Sequence, residues 1–314
     1  MNPIAVYHWW PETTDDVPGK NIRAPVLLSI ATLRAVSDIP IVVLQAENEK
    51  SWEDFPEKLN FRVENYDFAL RKYSDKIKGF RHLSRIHDLN KWASVNAPDS
   101  DIVYVDSDVF FFQNPFPLAC NTDKFCWDGW NTGFFYYNQA SPTFARFFDA
   151  FDAYIRSAVY CPVMLQLLKG YVGYDEWYGI WDEMVLGYMK YQHPDVFNTI
   201  PDEEHATVRN IAYLDFKKVK VFHGNGSIVS NPFTKYQYAR GLLCLVIEEF
   251  YEKICKVLSQ EDILDIFGKD LLEWSKDKRF SLLKNASSIK LSQNQTGHYD
   301  ITLFATNNKK MRFI

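Results

Sequence analysis

Two aspartates, Asp106 and Asp108, stand one residue apart in the stretch "DIVYVDSDVFFF" at 101–112. One apolar run leads into them and another leads out. A carboxylate at the end of a buried strand is unstable unless something pairs with it. Two carboxylates at i and i+2 beyond a strand can converge on one cation, and such oxygen ligands suit Mg2+ or Mn2+. A cation held this way holds a diphosphate in turn and neutralises its charge as a leaving group. The alternative is a capped turn in which Asp108 bonds backbone amides. The apolar flanks favour the ligand-facing arrangement, because a solvated turn does not need them.

Other stretches offer companions to this pair. His223 follows "KVKVF" and precedes Gly-Asn-Gly. Imidazole is a good Mn2+ ligand, and a glycine such as Gly224 lets the backbone approach a diphosphate closely. A turn histidine with a local hydrogen bond fits the same residues equally well. Asn131 and Gly133 precede "FFYYN". Asn offers both donor and acceptor to sugar hydroxyls, and Gly133 removes bulk beside a ligand. A plain turn into a strand is the competing explanation. Asp182 and Glu183 follow the aromatic residues Trp177, Tyr178 and Trp181. Flat rings beside carboxylates suit sugars, and one carboxylate can deprotonate a hydroxyl as general base, Asp182 being preferred. Acids favoured by a helix dipole explain the pair as well. Arg81, Arg85, Asp88 and Trp92 fall on one stripe of a helix, so Arg85 is placed to pair with an aspartate or a phosphate. A solvated charged face is the alternative.

Taken together, these stretches resemble a family. "DIVYVDSDVFFFQNP" resembles the D-x-D region of nucleotide-sugar glycosyltransferases of the GT-A fold. "WNTGFFYYNQ" is similar to the family's N-x-G strand, with Asn131, Gly133 and Asn138. "WDEMVL" resembles its acidic segment, with Asp182 and Glu183, and "VFHGNGS" its late histidine turn, with His223. "GFRHLSRIHDLNKW" resembles the basic helix before the D-x-D strand. The resemblance spans about residues 4–230. It implies Asp106, Asp108 and His223 as ligands of Mn2+ or Mg2+, and a UDP- or GDP-sugar donor with a glycan acceptor. It also implies nucleotide contacts from Tyr7 or His8 at the end of the first strand. Ser107 is expected to face either the sheet or the donor ribose.

Elements must deliver these residues to one place. Apolar runs at 4–10 and 38–48 predict buried strands, and 60–67 a weaker one. Residues 20–36 and 80–96 have helical spacing, followed by a strand at 101–106. Turn residues and a strand are expected at 125–139. Ser141-Pro142 opens an amphipathic helix to 159. The stretch 174–192 becomes helical from about Trp181, and 217–227 holds a strand. This alternation predicts an α/β fold with a GT-A-like, mostly parallel central sheet flanked by helices. In such sheets ligands bind beyond the carboxyl ends of the strands, where Asp106 and Asp108 fall. Residues 1–235 are expected to form the catalytic domain. Residues 236–284 are expected as a C-terminal helical appendage with Ser259 as a cap between two helices, and 285–314 as a hairpin or loose tail.

Composition bounds the rest. The chain has 314 residues, 47% of them hydrophobic, and a formal net charge of −5. No long basic run appears, so no nucleic-acid partner is expected. No run of about 20 apolar residues appears, so no membrane span is expected. The five cysteines are irregularly spaced and match neither a disulfide framework nor a zinc site. With nothing resembling a signal peptide at the start, a cytoplasmic setting is expected. Two rival functions are weighed. A sugar-phosphate nucleotidyltransferase wants a Gly-rich basic loop after the first strand, but "HWWPETTDDVPGK" is bulky and acidic there. A non-catalytic sugar-binding protein on a transferase scaffold would not need Asp106, Asp108, Asp182 and His223 together.

Overall fold

The computed structural model describes residues 2–9, 23–45, 52, 54–68, 80–160, 182–207, 218–224, 251–264, 286–293, 299–305 and 310–312. In chain order the elements are β1 Pro3–Trp9, α1 Arg23–Arg34, β2 Ile41–Gln45, α2 Phe55–Lys58, β3 Arg62–Asn65, α3 Phe80–Asn96, β4 Asp101–Val105 and β5 Val109–Phe111. There follow β6 Phe125–Trp127, β7 Phe134–Asn138, α4 Pro142–Tyr160, α5 Asp182–Gln192, β8 Phe197–Thr199, β9 His205–Thr207 and β10 Val221–His223. The last strands are β11 Ala286–Gln293, β12 Tyr299–Ala305 and β13 Lys310–Arg312.

The central sheet has seven strands in the order β3-β2-β1-β4-β7-β6-β8. The pairs β2–β3, β1–β2, β1–β4 and β6–β8 are parallel, and β7 runs antiparallel to both its neighbours. The expected α/β architecture with a mostly parallel sheet is therefore present. Alternate residues of each strand go to opposite faces, and both faces are apolar. On one side Tyr7, Val43, Val103, Val105 and Tyr136 pack against Val26, Ile30 and Leu33 of α1. On the other, Val6, Leu44, Ile102, Tyr104 and Phe135 pack against Leu83 and Ile86 of α3 and against α4. Apolar residues on both faces make the strands read as continuous hydrophobic runs in the sequence.

The helices follow local rules. Ser141 caps α4, its Oγ accepting the amides of Thr143 at 3.1 Å and Phe144 at 3.2 Å, with Pro142 in the first turn. The α4 stripe Phe144, Phe147, Phe151 and Ile155 is buried. Phe147 lies flat on Phe125 with ring centroids 4.3 Å apart, which ties the helix to β6. On α3, Arg85, Asp88 and Trp92 are buried, so this stripe turns into the protein and is not a solvated face. Among the described residues no helix is long and apolar enough to cross a membrane.

A second sheet, β5-β10-β9, sets the site. β5 pairs antiparallel with β10, opposing Val109 to His223, and β10 pairs parallel with β9, opposing His223 to Thr207. A residue more than a hundred positions downstream thus arrives beside Asp108.

Residues 251–254 and 260–264 of the expected appendage are helical, and Ser259 caps the second piece, its Oγ accepting the Asp262 amide at 3.1 Å. Ile254, Leu258 and Ile263 belong to the same apolar cluster as Tyr7 and Val105, so this stretch shares the core. Residues 236–250 and 265–284 lie outside the described residues. The C-terminal region goes beyond a hairpin, with β11, β12 and β13 forming a three-stranded antiparallel sheet.

Candidate metal centre and its arginine network

β4 ends at Val105, and the chain turns at once. The amide of Asp106 donates to the Gly133 carbonyl at 2.7 Å, and the amide of Val109 donates back to the Asp106 carbonyl at 3.2 Å. The Gly224 amide donates to the Asp108 carbonyl at 2.8 Å, which locks the end of β10 onto the same turn. One ligand atom each from Asp106, Asp108 and His223 lie within 4.8 Å of one another. His223 Nε2 is 3.0 Å from Asp108 Oδ1, and its Nδ1 is buried without a hydrogen-bond partner. Burial alone would lower the His223 pKa, but Asp108, then Asp106 and Asp128, outweigh it and hold the imidazole above its ordinary value. Two carboxylates and an imidazole form a donor set for Mn2+ or Mg2+. The three atoms converge closely enough that a small shift would let one cation engage all of them. The residues present therefore fit a divalent cation.

Arg85 binds this pair to the rest of the edge. Its Nε donates to Asp182 Oδ2 at 2.8 Å, and its Nη2 lies 2.6 Å from the same oxygen. Nη1 reaches Asp106 Oδ2 at 3.0 Å and the Tyr104 hydroxyl at 3.3 Å, while Nη2 also donates to Thr132 Oγ1. Tyr104 in turn donates to Asp106 Oδ1 at 3.1 Å. The Arg85 side chain is 11% exposed and that of Asp182 is 1% exposed. Burial disfavours the guanidinium charge, but Asp182, Tyr104 and Asp106 more than restore it, raising the pKa well above the ordinary arginine value. The arginine is thus permanently charged.

A third group holds the turn at 128–133. Asp128 Oδ1 accepts the amides of Trp130 and Asn131, each at 2.7 Å. Its Oδ2 is 3.1 Å from His205 Nδ1 on β9. Burial pushes the Asp128 carboxyl up, but His205 and the two amides outweigh it and leave the pKa below its ordinary value. Asn131 Oδ1 accepts the Gly133 amide at 2.7 Å. The His205 ring lies nearly parallel to that of His223, with centroids 6.0 Å apart. An ideal Cβ on Gly133 would stand 2.2 Å from His223 Cε1, so only glycine leaves room for the imidazole.

No family model and no curated protein matches the chain. Solved structures do match. The galactosyltransferase LgtC, solved in complex with donor and acceptor sugar analogs, aligns with a TM-score of 0.50 at 14% identity, over 84% of this chain and 99% of LgtC. The chain has a GT-A-like glycosyltransferase fold. Mouse xyloside xylosyltransferase 1 aligns with a TM-score of 0.42 at 13% identity, over 72% of this chain and 98% of that one. The glycosyltransferase GlyE of Streptococcus pneumoniae TIGR4 aligns with a TM-score of 0.47 at 11% identity, over 86% of this chain and 64% of GlyE.

Within this transferase fold the expected residues separate into groups. Asp106, Asp108, His223, Gly133, Gly224, Arg85 and Asp182 are joined by the contacts above. Ser107, half-buried, is the middle residue of the D-x-D turn. The Asn131 side chain is turned onto its own turn and holds Gly133. Glu183, also half-buried, begins α5 beside Asp182. Two expectations need correction. Tyr7 does not lie open beside a nucleotide; it is 1% exposed in the core under α1, with its hydroxyl 3.0 Å from Ser29 Oγ. Strand alternation sends it to the opposite face from His8. Asp182 is not an open carboxylate either, since Arg85 occupies one oxygen and the Glu183 amide donates to the other at 3.0 Å. Trp177, Tyr178, Trp181 and Gly226 lie outside the described residues, as does the Arg81 side chain. Sequence reasoning missed Tyr104, Asp128, Thr132 and His205. "WDGWN" carries a turn signal for Asp128, but nothing around His205 marks it, because strand pairing alone brings it in.

His8 stands on the face of Arg85, edge-on to Phe68 and Tyr104 at 5.5 and 5.3 Å between ring centroids. Both its nitrogens are buried without a hydrogen-bond partner. Burial, reinforced by the Arg85 charge, lowers its pKa to about 3. The unfolded chain therefore binds a proton at His8 that the folded protein refuses between pH 6.5 and about 3. Stability is expected to fall as pH drops through that window. His8→Phe should flatten part of the slope, measured as the Tm difference between pH 7 and pH 5; an unchanged difference would contradict the burial argument. Gly133→Ala should displace His223 and weaken Mn2+ binding about tenfold or more, read by titration calorimetry. Wild-type affinity in that variant would show that the close approach is not required.

Proposed function

We propose that the chain is a metal-dependent glycosyltransferase, hexosyl or pentosyl, moving a sugar from a nucleoside-diphosphate donor to a glycan hydroxyl. The observation that carries this is the cluster of Asp106, Asp108 and His223 at the carboxyl edge of the parallel strands. Open α/β sheets bind ligands at that edge. The neighbour LgtC was solved with donor and acceptor sugar analogs, which supports a sugar donor and a sugar acceptor here.

Asp106, Asp108 and His223 would hold Mn2+ or Mg2+. A cation held there would supply positive charge to the diphosphate oxygens and so ease departure of the nucleoside diphosphate. Arg85 fixes the Asp106 carboxylate through Nη1 and adds a permanent positive charge to the same edge. Gly224, whose amide donates to the Asp108 carbonyl at 2.8 Å, is assigned to the UDP- or GDP-sugar by its place beside the D-x-D turn. His8 and Ser107 flank this edge and are assigned to the nucleoside. Asp182, closed into the Arg85 pair, acts as a positioning residue. Arg85 and the Glu183 amide occupy both Asp182 oxygens, so Glu183 is assigned as the general base for the acceptor hydroxyl.

The assignment is tested with a panel of UDP- and GDP-sugars, reading nucleoside diphosphate release with Mn2+, Mg2+ or EDTA. Turnover should require the metal, and Asp108→Ala should lower kcat by about a hundredfold or more. Full activity of that variant, or of wild type in EDTA, would refute the metal role. The two acids are separated by pairing stability with rate. Asp182→Asn should destabilise the fold by about 3 kcal/mol by stranding Arg85. Glu183→Gln should lower Tm less than Asp182→Asn does and cut transfer about a hundredfold. The reverse pattern would return the base to Asp182.

A further inference from the structure

Trp130 holds its side chain in solvent, with the residue 72% exposed. The other described tryptophans, Trp9, Trp52, Trp92 and Trp127, are each 5% exposed or less. A large apolar side chain left in water is the informative departure from ordinary burial. The turn that presents it is firmly built. Asp128, 6% exposed, accepts the Trp130 and Asn131 amides at 2.7 Å and is braced by His205 at 3.1 Å. Gly129 takes a φ of 93°, a left-handed conformation that side chains disfavour, and reverses the chain just before the tryptophan. Asn131 then bonds the Gly133 amide, and Gly133 lies against His223. An exposed indole therefore rides on the same braced turn that shapes the metal cluster.

We infer that Trp130 is a stacking platform for a pyranose ring of the acceptor and so determines acceptor specificity, an inference that rests on the glycosyltransferase reading above. The C–H face of a pyranose is apolar and flat enough to cover an aromatic ring. An indole has only two side-chain torsions, so little freedom is lost when a ring settles on it. Here the backbone beneath it is already fixed. The donor diphosphate belongs with Asp106, Asp108 and His223, whose side chains are 32%, 12% and 5% exposed. An acceptor approaching from solvent meets the side on which Trp130 stands exposed. A protein partner needs about 800 Å2 on each side, which one indole does not supply, whereas it matches one sugar ring.

The test uses the full chain with methyl α- and β-glycopyranosides of glucose, galactose, mannose and xylose as acceptor probes. With a donor that turns over, Trp130→Ala should raise the acceptor KM at least tenfold. Donor hydrolysis and donor KM should stay within twofold, and Trp130→Phe should restore the acceptor KM to within about threefold of wild type. In parallel, the protein labelled with 5-fluorotryptophan is titrated with the same glycosides. The 19F signal lost in Trp130→Phe should shift with at least one of them. An unchanged acceptor KM in Trp130→Ala, or a 19F signal that no glycoside moves, overturns the proposal. If that signal shifts while no donor is turned over with any metal, the sugar platform stands and the transferase reading falls.

Discussion

Arg85 places a permanent charge where only 11% of its side chain meets solvent, and the edge of the sheet is arranged around that charge. A buried guanidinium is tolerable only if its donors are met and its charge is balanced. Asp182 supplies the first balance from the start of α5, and Asp106 the second from the end of β4. Tyr104 and Thr132 take remaining donors. One side chain on α3 thereby ties together α5, β4 and the 128–133 turn. Asp106 keeps a 32% exposed side chain and retains a face toward solvent. The same arginine that stabilises the fold also sets the direction of a carboxylate of the candidate metal centre.

Backbone pairing makes the second half of the centre. Asp108 is brought to His223 by the antiparallel register of β5 on β10, reinforced by the Gly224 amide on the Asp108 carbonyl. Gly133 then marks how tightly the 128–133 turn is pressed on the imidazole. Braced carboxylates recur in this architecture: Asp106 with Arg85, Asp108 with His223, Asp128 with His205. Side chains held this way are fixed in place before any ligand binds, which is the condition for electrostatic preorganisation.

Local patterns in the chain determined a good deal by themselves. The apolar runs ending at Trp9, Gln45 and Val105, with amphipathic stretches between them, specified a mostly parallel sheet because strands covered on both faces must be apolar throughout. The cap at Ser141 and the cap at Ser259 are local hydrogen bonds, and local residue types predict them. Asp-Ser-Asp at the end of an apolar strand, with a histidine turn downstream, marked the metal candidates, since a strand end and a carboxylate pair are both visible within a few residues. What the chain alone left open was decided by tertiary contacts. Whether Asp182 is a free base or an arginine's partner depends on α3 crossing α5, which no window of sequence contains. Tyr7 and His8 are adjacent and chemically similar candidates, yet strand alternation sends one into the core and the other toward Arg85. His205 has no motif at all and enters through β9 pairing beside β10. Residue type and spacing identify groups capable of chemistry; long-range pairing and burial decide which of them remain free to perform it.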